Sequence, residues 1–186
     1  MGKKRTEKTK TKKETMITTI NKDILTVDKG VIVHSVNCLG AAGGLAGAIA
    51  CKWPKNVLEY RKHVNAHNQS ITLLGSVFEV NVAHNVIVAN LFGQYDIGMG
   101  SRKTEYAALI SGFKRIADTC FTGNDRQEKD YGLPIGFIQE KNILADVYIP
   151  YKIGCGLGGA DWNLVQEILH KAFDKSYKNV YICKHF

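Results

Sequence analysis

Residues 31–49 read Val-Ile-Val-His-Ser-Val-Asn-Cys-Leu-Gly-Ala-Ala-Gly-Gly-Leu-Ala-Gly-Ala-Ile. The first six are a nearly unbroken β-branched run, the pattern of a central strand covered on both faces. Glycines follow at 40, 43, 44 and 47, and then small apolar residues that suit a helix. A strand that runs through glycines into a helix is the unit of an α/β domain, and such sheets bind ligands at the carboxyl ends of their strands.

Working outward, the spacing predicts further strands over 16–20, 75–80, 86–92, 144–150 and 179–184. Helical periodicity is clearest over 104–121, with Tyr106, Leu109, Ile110, Phe113, Ile116 and Ala117 on one stripe. It recurs over 161–176, with Val165, Ile168, Leu169, Ala172 and Phe173. A further helical stretch runs from Leu45 to about His67, interrupted at Pro54. Strands alternating with helices predict an α/β fold with a mixed, mostly parallel sheet covered on both faces. Residues 122–142 mix charges with Gly132, Pro134 and Gly136, which suggests a long connection with one short strand at 135–138.

The 186 residues hold 25 Lys+Arg against 17 Asp+Glu, with 45% apolar and 23% charged side chains. This composition excludes a disordered chain, a coiled coil and a collagen-like repeat. No apolar run reaches the roughly 18–20 residues of a membrane span, and the N-terminus lacks the apolar stretch of a signal peptide. A cytoplasmic protein is expected, or a nuclear one if the basic N-terminus is a targeting signal. Five single cysteines, without metal-ligand spacing, predict free thiols and no metal site.

The charge is uneven. Residues 1–15 hold seven Lys/Arg and two Glu, leaving 18 basic and 15 acidic residues over 16–186. Residues 1–15 therefore read as a disordered basic tail able to make a weak polyanion contact, and 16–186 as one domain. Nothing in the pattern calls for an obligate dimer, so a monomer is expected.

A second glycine-rich loop, Ile-Gly-Cys-Gly-Leu-Gly-Gly-Ala-Asp-Trp over 153–162, also joins a predicted strand to a predicted helix. Glycine lets backbone approach a ligand closely, and amides at a helix N-terminus favour anions. Two such loops facing each other suit a diphosphate. Neither ends in Gly-Lys-Ser/Thr, and neither has the spacing of a dinucleotide-binding GxGxxG, so ATP hydrolysis and hydride transfer both lose ground.

The order Asn-Lys-Asp-Ile-Leu (21–25), Val-Asn-Cys-Leu-Gly-Ala-Ala-Gly-Gly-Leu-Ala (36–46), Val-Ala-Asn-Leu-Phe-Gly-Gln (88–94) and Ile-Gly-Cys-Gly-Leu-Gly-Gly-Ala-Asp-Trp (153–162) resembles the macro domain, an ADP-ribose-binding module. More narrowly, it is similar to the branch of ADP-ribose-1''-phosphate phosphatases and terminal ADP-ribose glycohydrolases. The resemblance spans residues 16–186 and implies a three-layer α/β/α domain with ADP-ribose across the strand ends.

By that resemblance Asp23 binds the adenine amino group with Ile24 beside it, and Asn37 contacts the distal ribose. Gly43, Gly44 and Ala46 line the distal ribose and its phosphate, while Gly154, Cys155, Gly156, Leu157 and Gly158 wrap the diphosphate. Plainer readings stand beside these: Asp23 as a turn or cap aspartate, Asn37 as a turn former, Cys155 as a small loop residue, and Asp161 as a helix N-cap. Asp161 is the side chain expected to activate a water, with Asn37 as its catalytic partner.

The glycohydrolases of this branch use a lysine just after the strand that corresponds to 86–92. Here Gln94 stands near that place and serves as a binding or water-orienting group, while Lys103 lies well downstream. The expectation is a phosphatase that acts on ADP-ribose-1''-phosphate without metal or cofactor. The alternatives are a glycohydrolase acting on ADP-ribosylated protein or nucleic acid, and a noncatalytic ADP-ribose reader.

Overall fold

In a computed structural model, residues 17–98, 100–121 and 146–185 are described. The chain runs β1 (Ile17–Asp23), β2 (Gly30–Asn37), α1 (Gly44–Lys52), α2 (Pro54–Ala66), β3 (Val77–Ala83), β4 (Val86–Gln94), α3 (Tyr106–Asp118), β5 (Asp146–Pro150), α4 (Trp162–Phe173) and β6 (Asn179–His185). Single turns of tighter helix cover Ile24–Thr26 and Ile71–Leu73. The expected strand at 135–138 lies outside the described residues.

The strands form one sheet in the order β1-β6-β5-β2-β4-β3. All neighbours are parallel except the β3–β4 hairpin, which reverses through Asn85 in the left-handed region that asparagine tolerates. The sheet is mixed and mostly parallel, as the alternation of strands and helices predicted.

Alternation along β2 sorts the layers. Val31 and Val33 face one side, packed with Leu109 and Phe113 of α3 and Val165 and Leu169 of α4. Ile32 faces the other, with Ile49 of α1 and Trp53, and Val36 there meets Tyr60 and Val64 of α2. Burying each of these β2 side chains contributes about 1.5–3 kcal/mol, which makes this strand the spine of the fold.

The helix starts follow local chemistry. Pro54 breaks the 45–67 stretch because it has no N–H to give to an earlier turn; it instead opens α2 at a first-turn position where none is needed. One expectation on α3 is corrected: Ile110 is 51% exposed. It sits about 100° round the helix from Leu109, so the buried stripe runs through Leu109, Gly112, Phe113 and Ile116 and leaves Ile110 outside. The strand expected from Gly75 begins at Val77, because residues 71–76 form a tight helical turn and the bend after it.

One irregularity of the sheet positions the site. The β2–β4 ladder continues to Asn37↔Gln94, whereas β2 pairs with β5 only at Val31↔Val147 and Ile32↔Tyr148. Beyond that point β2 and β5 have no ladder between them, and a cavity opens between their carboxyl ends.

Candidate functional site

The cavity measures about 720 Å³, a size suited to a small-molecule ligand. Its walls are the first glycine loop with the start of α1, the second glycine loop, and the ends of β2, β4, β5 and β6. The cavity brings together Asn37, Gly43, Gly44, Ala46, Gln94, Gly154, Cys155, Gly156, Leu157 and Gly158.

Asn37 organises the first loop. Its Oδ1 accepts from the amides of Leu39 at 3.0 Å and Ala41 at 3.1 Å, and its Nδ2 donates to the Ala41 carbonyl at 2.8 Å. Tyr60 of α2, wholly buried beneath it, donates to the Asn37 backbone carbonyl at 2.6 Å. The turn-forming reading of Asn37 thus describes what its side chain does here. One of its two amide hydrogens remains for a ligand.

The loop delivers Gly43 as the cap of α1, where no side chain covers the helix end. The first amides of α1 have no partner within the helix, so they present N–H groups and the positive end of the helix dipole. Among the described residues, the amides of Ala42, Gly43, Gly156, Leu157 and Gly158 likewise pair with no acceptor. The two loops approach each other: a Cβ built on Gly43 would stand 4.0 Å from the Leu157 Cδ1.

The second loop is held from outside by the segment before α3. The Gly158 carbonyl accepts from the amides of Lys103 and Thr104, both at 2.9 Å. Thr104 Oγ1 donates to the Gly154 carbonyl at 2.8 Å. Packing at Gly158 requires glycine, since a Cβ there would lie 2.2 Å from Thr104 Oγ1 and 2.6 Å from the Gly154 carbonyl. At Gly156, by contrast, nothing lies within 4 Å of an added Cβ, because that position faces the open cavity.

Three of the residues expected to act lie outside the cavity wall. The Ile24 side chain is wholly buried in the core, where no ligand reaches it. Asp23 caps the turn after β1, its Oδ1 accepting from the Leu25 amide at 2.8 Å. Asp161 caps α4, its Oδ1 accepting from the Asn163 amide at 2.9 Å, while its own N–H donates to the Tyr106 hydroxyl at 2.9 Å. Both aspartates occupy the cap geometry that their position before a helical turn favours.

Cys155 remains a thiol at neutral pH: burial pushes its pKa up, Asp161 adds to this, and Lys152 opposes it. Gln94 donates from Nε2 to the Asp96 carbonyl at 2.8 Å. Lys103 pairs with Asp96 at 3.2 Å and is not part of the wall.

His34 does line the cavity, yet it is buried, and burial pulls its pKa down to about 4. Asn90 Oδ1 lies 2.8 Å from His34 Nε2 and also accepts from Asn56 Nδ2, so Nε2 carries the proton and Nδ1 is a bare acceptor. Phe92 is core, and Tyr95 lies outside the cavity wall.

Thr104, Tyr60, Lys152 and Lys184 also build the site, and sequence reasoning missed them. Thr104 and Tyr60 act through hydrogen bonds to loops distant in sequence. Lys152 and Lys184 line the cavity from the ends of β5 and β6, where strand register alone brings them in. Among the described residues, no cluster of three potential metal ligands occurs, and no helix is long and apolar enough to cross a membrane.

No family model and no curated protein matches the sequence. Solved structures do match. A protein of unknown function from Bacteroides thetaiotaomicron is 28% identical, with a TM-score of 0.68 over 91% of this chain and 98% of that one. A macrodomain protein from Streptomyces coelicolor is 24% identical, with a TM-score of 0.66 over 92% of this chain and 100% of the other. Thermosipho africanus DarTG, solved in complex with ADP-ribose, is 16% identical, with a TM-score of 0.64 over 91% of this chain and 43% of that one. The chain has the macrodomain fold.

Proposed function

We propose that the chain binds ADP-ribose in this cavity and hydrolyses ADP-ribose-1''-phosphate to ADP-ribose and phosphate. The observation that carries the binding reading is the pair of facing glycine loops, with unpaired amides, over the gap where β2 and β5 part. Such amides stabilise a diphosphate without any lysine in the loops themselves. DarTG, part of which shares this fold, was solved in complex with ADP-ribose, which supports this ligand. The distal ribose lies at the Asn37, Gly43 and Gln94 end, and the adenosine lies toward β6.

In the hydrolysis a water oxygen attacks the phosphorus and the bond to the 1'' oxygen breaks. Asp161 accepts the proton of the attacking water and returns it to that oxygen, which leaves as the ribose hydroxyl. One Asp161 oxygen serves the α4 cap, which leaves the other to accept from a water. A glycohydrolase using a lysine nucleophile fits less well, because Gln94 stands at the strand end and Lys103 is paired with Asp96.

A noncatalytic reader is the second reading, and a specific observation favours it: among the described residues, no Asp or Glu lines the cavity. Purified protein is incubated with ADP-ribose-1''-phosphate and, separately, with mono-ADP-ribosylated protein and DNA, following phosphate and ADP-ribose release. Phosphate release from the first substrate alone is expected. ADP-ribose release from the second set would replace this reading with a glycohydrolase, and binding without turnover would leave a reader.

A further inference from the structure

Among the described residues, the cavity wall carries two lysines, Lys152 and Lys184, and no carboxylate. Asp23 and Asp161 each give an oxygen to a helical cap, Asp96 pairs with Lys103, and all three stand outside the wall. The two lysines come from the ends of adjacent strands. Pro150 pairs with Cys183, and the Tyr151 amide donates to the Cys183 carbonyl at 2.7 Å, so the residues that follow on each strand emerge side by side. Lys152 holds a left-handed backbone, φ 60°, and its Nζ lies 5.4 Å above the Tyr151 ring, which directs it along the wall.

This pair is separated from the distal-ribose end. Asn37 ends β2, and β6 lies two places away across β5. Two strand spacings of about 4.8 Å already separate β2 from β6 where the sheet is paired, and the parting of β2 and β5 widens that gap at the cavity. The amides already supply donors for the diphosphate, so Lys152 at the head of the second loop and Lys184 on β6 answer a further charge on the β6 side of the cavity.

We propose that the cavity recognises a ligand with a further phosphate monoester on its adenosine ribose, and that Lys152 and Lys184 bind that phosphate. The proposal rests on the ADP-ribose reading for its orientation. It makes the preferred ligand an ADP-ribose 2'-phosphate, of the kind left when a 2'-phosphorylated pyridine dinucleotide loses its pyridine base.

Calorimetry on the full chain with ADP-ribose and with ADP-ribose 2'-phosphate tests it. The phosphorylated ligand is expected to bind about 10-fold more tightly, as two charge-assisted contacts at a partly open site allow. The advantage should shrink between about 0.05 and 0.3 M salt. In the Lys152→Gln, Lys184→Gln double variant the ratio of the two affinities should fall to about one, and Lys184→Arg should retain the preference. Equal or weaker binding of the 2'-phosphate by the natural chain overturns the proposal, as does a preference that survives the double variant. If neither ligand binds, the ADP-ribose reading itself falls; if ADP-ribose binds and the 2'-phosphate gains nothing, only this inference does.

Discussion

Protonating His34 should unfold this protein from within, and the effect can be sized. The ring is buried on β2 with its Nε2–H donated to Asn90, and Nδ1 has no partner. A proton added at Nδ1 would place a positive charge in the core with nothing to receive it, which is why burial lowers the pKa from 6.5 to about 4. The unfolded chain takes up the proton near pH 6.5 and the folded chain only near 4, so between those values the unfolded state binds more protons and stability falls as pH falls. At about 1.4 kcal/mol per pH unit, the gap amounts to about 3 kcal/mol lost from pH 6.5 to pH 4, with no further loss from this group below. His63, whose pKa burial and the neighbouring His67 also lower, loses stability in the same direction. The difference between the natural chain and His34→Gln isolates the first contribution. Glutamine can still donate an N–H toward Asn90 but does not titrate. Urea unfolding of both proteins from pH 7.5 to 4 should show the natural chain losing about 3 kcal/mol more than the variant. Parallel pH profiles would refute the assignment of acid sensitivity to His34.

The glycines of the second loop separate binding from folding. Gly156→Val should leave the melting temperature unchanged and weaken ADP-ribose by about 100-fold, whereas Gly158→Ala should lower both, and calorimetry with thermal melts distinguishes them. Tyr60→Phe removes the hydroxyl that holds Asn37 and should cost about 1–2 kcal/mol in urea unfolding together with ligand affinity; a full-strength ligand site would show that the first loop is held by other contacts. Asp161→Asn retains a cap oxygen, so stability and affinity should hold while phosphate release falls by about 100-fold or more, and Asp161→Ala should in addition lose about 1 kcal/mol of stability.

The parts of the fold legible in the sequence are those in which one residue type answers to one local demand. The β-branched run at Val31–Val36 could only be a covered strand, and the stripe on α4 could only face a sheet. Pro54 marked the break in the 45–67 helical stretch, and the two glycine loops marked the strand ends where the cavity lies. The α3 stripe was misjudged at Ile110 because residues one apart on a helix differ by about 100°, and an apolar neighbour of a core position can still face water. The long-range struts were not legible. Nothing in Ser-Arg-Lys-Thr-Glu tells that Thr104 holds Gly154, 50 residues away, or that Tyr60 reaches back to Asn37. Lys152 and Lys184 share a cavity only through the β5–β6 register, which no spacing along the chain encodes.

The aspartates show how one residue type serves local structure first. Asp23 and Asp161 both stand just before a helical turn, and at each the free N–H groups of that turn capture a carboxylate oxygen. What remains to face the cavity is a wall of backbone amides, the positive end of α1 and two lysines. The two lysines and the α1 dipole in that wall favour an anion, and among the described residues no carboxylate stands in it. Binding therefore follows from the loops as they stand, whereas hydrolysis asks one further thing of the site: that the second oxygen of Asp161 serve a water while the first still caps α4. The asparagine variant isolates that demand, because it preserves the cap and removes only the base.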